Sequence, residues 1–292
     1  LDTFFVLLGA QKAGTSWLGR VLSAHPDVFM PATQEIHYFD TKHGFYDKNE
    51  TLYRRLGYVE QRLAKAEAAS PENVASIVEL RDQIEMLIDA DSDDAYRAFF
   101  ERFGNGYKVC GEKTPNYSVL PQTAFDEMAR VYPDARMMFI LRNPVDRFWS
   151  QFRFHADRAE KSGRRLSRFT DPFAALRRGS FAVKSDYPAV LRKMLFATGR
   201  DRCFIEYYER ITNLPDAVRA LFEFLNLRPI PTQELETWQA RKVNTSPAME
   251  MPEKLRRAAV QELRPVYDYV FSHMAGEPPA QWLRDYNTAL PD

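Results

Sequence analysis

Phe4-Phe-Val-Leu-Leu8 leaves the start of this chain few options. A short, continuous apolar run rich in β formers, halted by Gly9, predicts a strand buried on both faces, which is the habit of parallel sheets. Trp17, Leu18, Val21 and Leu22 then recur at helical spacing and Pro26 closes the segment, predicting a helix from about Thr15 to Ala24. The joining loop, Gly9-Ala-Gln-Lys-Ala-Gly-Thr-Ser16, has the glycine spacing of a nucleotide phosphate loop with one departure: Thr15 stands where that motif has lysine, and the lysine comes earlier, as Lys12. Free backbone N–H groups and the positive dipole end at a helix start favour an anion, so Lys12, Ala13, Gly14, Thr15 and Ser16 form a candidate phosphate site. The plainer alternative is a β-to-α turn in which a threonine caps the helix.

Three more strand candidates, Tyr107 to Cys110, Arg136 to Leu141 and Arg202 to Tyr207, each precede a helical pattern. That alternation predicts an α/β fold, a parallel β-sheet flanked by helices. From about 48 to 104 the chain is rich in Ala, Glu, Arg and Asp, with Ser70-Pro71 reading as a helix cap and first helical residue, so a helical insertion is expected there. From about 239 to 274, a polar loop (Gln239 to Met251) leads into a helix expected from about Pro252 to Met274. Arg158 to Arg168 reads as a basic surface loop. The 292 residues are expected to form a single domain carrying these additions, although roughly 150 residues per domain also admits two.

Forty Lys and Arg balance forty Asp and Glu, so no global charge draws the chain to nucleic acid or to an anionic membrane, and any anion site must be local. No apolar run approaches the ~20 residues of a membrane span. Two cysteines, Cys110 and Cys203, cannot build a disulfide framework or a four-ligand zinc site, so no metal is expected and a reducing cytoplasm is the default compartment. The chain starts at Leu1, which leaves room for a trimmed leader.

A kinase on a phosphate-loop scaffold needs an acidic residue at the end of a neighbouring strand to organise Mg²⁺. Here the strand from Arg136 to Leu141 runs into Arg142, whose charge suits a second phosphate and repels a metal; a structural pairing with Asp146 is the alternative. With these features in view, Gln11-Lys-Ala-Gly-Thr-Ser-Trp17 resembles the 5′-phosphosulfate loop of the PAPS-dependent sulfotransferases. Leu141-Arg-Asn-Pro-Val-Asp-Arg-Phe-Trp-Ser150 resembles their 3′-phosphate motif, with Arg142 and Ser150 at the two phosphate-contacting positions. Gln34-Glu-Ile-His-Tyr-Phe-Asp40 and Gly111-Glu-Lys-Thr-Pro-Asn-Tyr117 are similar to segments of the heparan-sulfate-type carbohydrate sulfotransferases and their bacterial relatives. Two departures stand out. Ser16 replaces an arginine of the heparan 3-O branch, and the catalytic histidine of the cytosolic branch, near Lys113 and Thr114, is absent.

The resemblance implies the P-loop-like sulfotransferase fold, PAPS as donor and PAP as product, no metal, and in-line sulfuryl transfer to a hydroxyl or amine. It implies Glu35 as general base. His37, two residues on and on the same side of an extended segment, could orient Glu35 or replace it. Lys12 is implied to neutralise the departing 5′-phosphate and Lys113 to approach the sulfuryl group or its phosphate. Trp17 resembles the tryptophan that stacks on adenine in the cytosolic branch, with a core position as the alternative. Arg241, Lys242 and Asn244 loosely resemble the basic loop that closes over the 3′-phosphate. The implied acceptor is a carbohydrate or glycoconjugate, with a lipid or small metabolite also within the family's range. The competing classes are a nucleotide or small-molecule kinase and a non-catalytic nucleotide-binding module. No nucleic-acid partner is expected, and oligomeric state is not legible.

Overall fold

β1 (Thr3–Gly9) is buried along its whole length, as an apolar run flanked by helices on both faces must be. Around it β2 (Val28–Phe29), β3 (Val109–Lys113), β4 (Arg136–Leu141) and β5 (Cys203–Tyr207) complete a parallel sheet in the order β2-β3-β1-β4-β5. The computed structural model describes residues 3–69, 73–161, 171–240 and 249–288. The parallel sheet flanked by helices is the expected α/β fold.

The helices in chain order are α1 (Thr15–Ala24), α2 (Tyr38–Lys42), α3 (Lys48–Ala69), α4 (Val74–Asp89), α5 (Asp93–Phe103), α6 (Gln122–Val131) and α7 (Pro144–Lys161). After them come α8 (Pro172–Leu176), α9 (Gly179–Ala182), α10 (Tyr187–Thr198), α11 (Tyr208–Ile211), α12 (Pro215–Phe224), α13 (Thr232–Ala240), α14 (Glu253–His273) and α15 (Ala280–Thr288). Helices α3, α4 and α5 fill the stretch between 48 and 104 that composition set apart. α1 begins and ends where the apolar spacing placed it, with Trp17, Leu18, Val21 and Leu22 buried.

Other boundaries moved. β2 is two residues long and carries no sequence signal of its own; its pairing with Val109 and Cys110 makes it a strand. Arg158 to Lys161 belong to α7, because that helix runs on past its buried half as an exposed amphipathic turn, so the basic loop does not begin at Arg158. Gln239 and Ala240 end α13 instead of opening a loop. Ser70-Pro71, residues 162–168 and the trio Arg241, Lys242 and Asn244 lie outside the described residues.

β3 starts later than expected and includes Gly111, Glu112 and Lys113, residues that intrinsic propensity keeps out of strands. Tertiary pairing overrides propensity here: Phe5, Val6 and Leu7 of β1 face Gly111, Glu112 and Lys113. Any side chain at Gly111 would overlap Phe5, its Cβ falling 2.5 Å from the ring. Glu112 is fully buried and accepts hydrogen bonds from Tyr96 Oη (2.7 Å), Thr114 Oγ1 (2.7 Å) and Tyr117 Oη (3.1 Å). Burial still pushes its carboxyl up to about 7 against those three donors.

This topology creates a reversal beside β1. The chain fills one side of β1 with β2 and β3, then crosses to β4 and β5 on the other, so the crevice past the carboxyl ends of β1, β3 and β4 is a switch point, where α/β folds bind ligands. Among the described residues, no helix is long and apolar enough to cross a membrane. Cys110 and Cys203 are buried and free.

Candidate active site

The residues that immediately follow the sheet converge on that crevice. Lys12 lies past β1, Lys113 ends β3, Arg142 follows β4, and Tyr208 follows β5. The loop after β1 is held by backbone bonds from Ala10 N to Ile140 O (3.0 Å) and from Ala13 N to Ala10 O (3.0 Å). Gly14 occupies the N-cap of α1 at φ 75°, with no side chain capping the helix. A residue with a Cβ would be strained there and would also strike Tyr208, 2.7 Å away, so glycine is required twice over. The uncapped first turn leaves its N–H groups facing the crevice. The hydroxyls of Thr15 and Ser16 have no hydrogen-bond partner among the described residues, and neither has that of Ser150, buried on α7.

Cations gather around this loop. Arg142 donates to Lys12 O (2.6 Å) and its guanidinium stacks over Tyr208, 5.0 Å from the ring centre. Lys12 sets its ammonium over Phe154 (4.2 Å). Burial pushes the Lys12 ammonium below the usual lysine range, and the neighbouring Arg142 and Arg153 push it further. Arg147, fully buried, bonds only neutral acceptors, Ser185 Oγ (2.7 Å), Gln151 Oε1 (2.8 Å) and Phe181 O (3.1 Å); burial lowers its guanidinium to about 10. Among the described residues no carboxylate lies within 4.0 Å of Lys12 or Arg142. Asp146, the alternative partner of Arg142, is taken by Arg256 (2.9 Å). That pair belongs to a clamp that sequence reasoning missed. Asn143 receives Tyr267 Oη (2.8 Å), donates to Asp285 (2.8 Å) and caps α7 through Val145 N (3.1 Å), while Arg256 bridges Asp285 and Asp146. The clamp ties α14 and α15 to the turn that presents Arg142.

Across the crevice the charges are paired. Glu35 Oε1 lies 3.6 Å from Lys113 Nζ, and its Oε2 lies 3.7 Å from His37 Nε2. Lys113, 1% exposed, also donates to Gln34 Oε1 (2.9 Å); burial lowers its ammonium, partly offset by Glu35. Its stem lies against Gly19 of α1, where a Cβ would come within 3.4 Å. His37 Nδ1 sits 2.7 Å from the buried carboxylate of Asp40, and its ring stacks on Tyr46 at 3.8 Å. Asn116 Nδ2 donates to the same Asp40 oxygen (2.8 Å), and Asn116 Oδ1 accepts from Gln11 Nε2 (3.2 Å) of the loop after β1. A hydrogen-bonded chain thus runs from that loop to His37, which stands beside Glu35. Arg55 of α3 holds the backbone, donating to Thr33 O (2.8 Å) and Glu35 O (2.9 Å).

Lys12, Gln34 and His37 are three of only four non-glycine residues with positive φ among those described. Each costs of order 1 kcal/mol, and such strain gathers where geometry is dictated by a site. The expected residues Lys12, Ala13, Gly14, Thr15, Ser16, Arg142 and Ser150 surround one end of the crevice, and Glu35, His37 and Lys113 the other. Trp17 is instead 8% exposed and belongs to the hydrophobic core, because its place on the first turn of α1 faces inward. Asp40, Asn116, Gln11 and Arg55 were not anticipated. Asp40 and Asn116 stood within the two quoted segments, and only their spatial meeting marks them. Among the described residues no three His, Cys, Asp or Glu side chains cluster as metal ligands.

Comparison with known proteins bears on family and fold. Residues 5–231 match the model of the sulfotransferase family. A sulfotransferase structure from Alicyclobacillus acidocaldarius superposes with a TM-score of 0.60 at 22% identity, covering 97% of this chain and 100% of that one. Sulfotransferase STF9 from Mycobacterium avium superposes with a TM-score of 0.52 at 15% identity, covering 94% of this chain and 77% of that one. No curated protein matches the sequence.

Proposed function

This chain belongs to the sulfotransferase family, and from that premise we propose that it transfers a sulfuryl group from PAPS to a hydroxyl or amine, with Glu35 as general base. The observation that carries the reading is the set of mutually repelling cations around the start of α1, with no carboxylate within 4.0 Å of Lys12 or Arg142 among the described residues. Charges left unpaired inside a fold are costly unless a ligand brings the counter-charge. A donor with two separated phosphates would do so. The first-turn N–H groups with Lys12, Thr15 and Ser16 would hold the 5′-phosphosulfate, and Arg142 with Ser150 the 3′-phosphate.

When bound, PAPS supplies the sulfuryl group and a phosphate leaving group. The chain's own residues do the rest. Lys12 places positive charge where the leaving phosphate gains negative charge, and Lys113, beside Glu35, offers an ammonium to the transferred oxygens. Glu35 takes the proton from the acceptor. The Asp40 carboxylate beside Nδ1 orients the His37 ring so that Nε2 stands 3.7 Å from Glu35, whose other oxygen lies 3.6 Å from Lys113. The motifs around Glu35 and Lys113 resemble those of carbohydrate sulfotransferases, while lipids and small metabolites also fall within the family's range, so the choice of acceptor rests on the lining beside Glu35.

Calorimetry with PAP and with ATP plus Mg²⁺ tests the donor. Micromolar PAP binding without metal and clearly weaker ATP are expected, with transfer of label from radiolabelled PAPS. Equal affinities, or PAP binding that depends on Mg²⁺, would sink the reading in favour of a kinase.

A further inference from the structure

Beside Glu35 opens a cavity of about 600 Å³ between the segment Ala32 to Glu35 and the helical pair α3 and α4. Two chemistries meet in its lining. Val59, Leu80 and Ile84 are aliphatic, and Arg54, Arg55 and Arg62 are cationic, with Glu35 the one acidic residue. Arg54, Tyr58 and Arg62 lie four residues apart, hence on one face of α3, spanning about 12 Å. Arg55 is committed to the backbone of Thr33 and Glu35. Arg54 and Arg62 are exposed and have no carboxylate within 4.0 Å among the described residues; Arg62 rests its guanidinium 6.0 Å from the Tyr58 ring. The acids Asp82 and Glu85 of α4 are engaged by Arg81 and do not line the cavity.

We infer that this cavity is the acceptor site and that it takes a hydroxyl-bearing acceptor with an anionic group and an apolar body. The inference rests on the sulfotransferase reading, since Glu35, the proposed base, forms the wall shared by the cavity and the crevice. A neutral sugar would leave both the arginine row and the aliphatic surface unused. An acid with an apolar body uses both: its chain or ring covers Val59, Leu80 and Ile84, its anion meets Arg54 and Arg62, and its hydroxyl reaches Glu35. The cationic row also accounts for acceptor selection by α3, an element inserted between the Glu35 segment and β3 that takes no part in holding the donor.

The test compares ω-hydroxy acids of about six to twelve carbons with the diols of equal length, so that only the anion differs while apolar area grows along each series. Binding is measured by calorimetry on PAP-loaded protein, which needs no turnover. Affinity is expected to rise with length in both series, and the acids to bind about tenfold more tightly than their diols. In the double variant R54A/R62A, both exposed positions, the acid should fall to the affinity of its diol, and in the unmodified protein raised salt should weaken the acids alone. Equal affinities in the unmodified protein, an acid preference that survives R54A/R62A, or no binding by either series overturns the inference. Failure of PAP to bind at the outset overturns the donor reading instead, so the two failures are separate results.

Discussion

The two ends of the crevice handle charge in opposite ways. Around the start of α1 and the turn after β4, Lys12, Arg142, Arg153 and the buried Arg147 face one another, and burial lowers Lys12 and Arg147. Around Glu35, Lys113 and His37 flank the carboxylate, and Asp40 lies behind His37. An end built of like charges, with no carboxylate within 4.0 Å of Lys12 or Arg142 among the described residues, suits an anion that arrives from solution. The Glu35 carboxylate, held between Lys113 and His37, is placed to position atoms or move a proton. On the proposed function, the difference divides the site into a donor end, whose substitution should change PAP affinity, and a Glu35 end, whose substitution should change turnover.

Glu35→Gln is the strongest way to break that division. It keeps volume and hydrogen bonding but removes basicity, so turnover should fall about 10²-fold to 10⁴-fold with PAP affinity nearly intact by calorimetry. His37→Ala should cost less. Wild-type turnover in Glu35→Gln combined with an inactive His37→Ala would move the base to His37. At the other end, Arg142→Ala should weaken PAP by about 2 to 4 kcal/mol. The 3′-dephosphorylated analogue should lose only the smaller share due to the bond from Arg142 to Lys12 O, about 1 kcal/mol. Equal losses for both nucleotides would make Arg142 a loop brace and place the 3′-phosphate elsewhere.

Glu112, beneath the acceptor end, gives a prediction about stability. Its folded carboxyl, at about 7, lies above its ordinary 4.5, so between those values the folded protein holds more protons than the unfolded. Its stabilising effect is therefore complete below about pH 4.5 and lost as pH rises through about 7, amounting to about 3 kcal/mol at most. Urea unfolding on either side of that window should show the decline, and Glu112→Gln should flatten it. A smaller effect is expected from Asp40→Asn, which weakens the hold on His37: about tenfold lower turnover with unchanged PAP affinity. A matching loss of PAP affinity would mean that the chain through Asn116 and Gln11 supports the donor loop as well.

The smallest signal sharpens the donor end most directly. Because the free Lys12 ammonium is held below its usual range, an incoming phosphate should raise it, and binding in the alkaline range should take up a fraction of a proton. Calorimetry in two buffers of different ionisation enthalpy reads this as a buffer-dependent heat. The uptake should vanish in Lys12→Met.

The parts of the molecule that could be read in one dimension are those whose physics is local. β1, α1 and β4 were legible because an apolar run, a helical apolar spacing and a closing glycine or proline each act within a few residues. The loop between β1 and α1 was legible for the same reason, since a helix start and its N–H groups are consecutive in the chain. β3 was misplaced because Gly111, Glu112 and Lys113 are strand residues only through their pairing with β1 and the hydroxyls of Tyr96, Thr114 and Tyr117.

By itself, then, the sequence determined the α/β class, the candidate phosphate loop with its displaced lysine, the arginine at the end of β4, and the candidate pair Glu35 and His37. Only the tertiary structure decided which charges meet. It took Asp146 away from Arg142, turned Trp17 into the core, set Asp40 behind His37, and opened beside Glu35 a cavity whose arginines come from α3. Charge interactions depend on separation in space and on burial, and a chain that crosses from one side of β1 to the other brings together residues about a hundred positions apart.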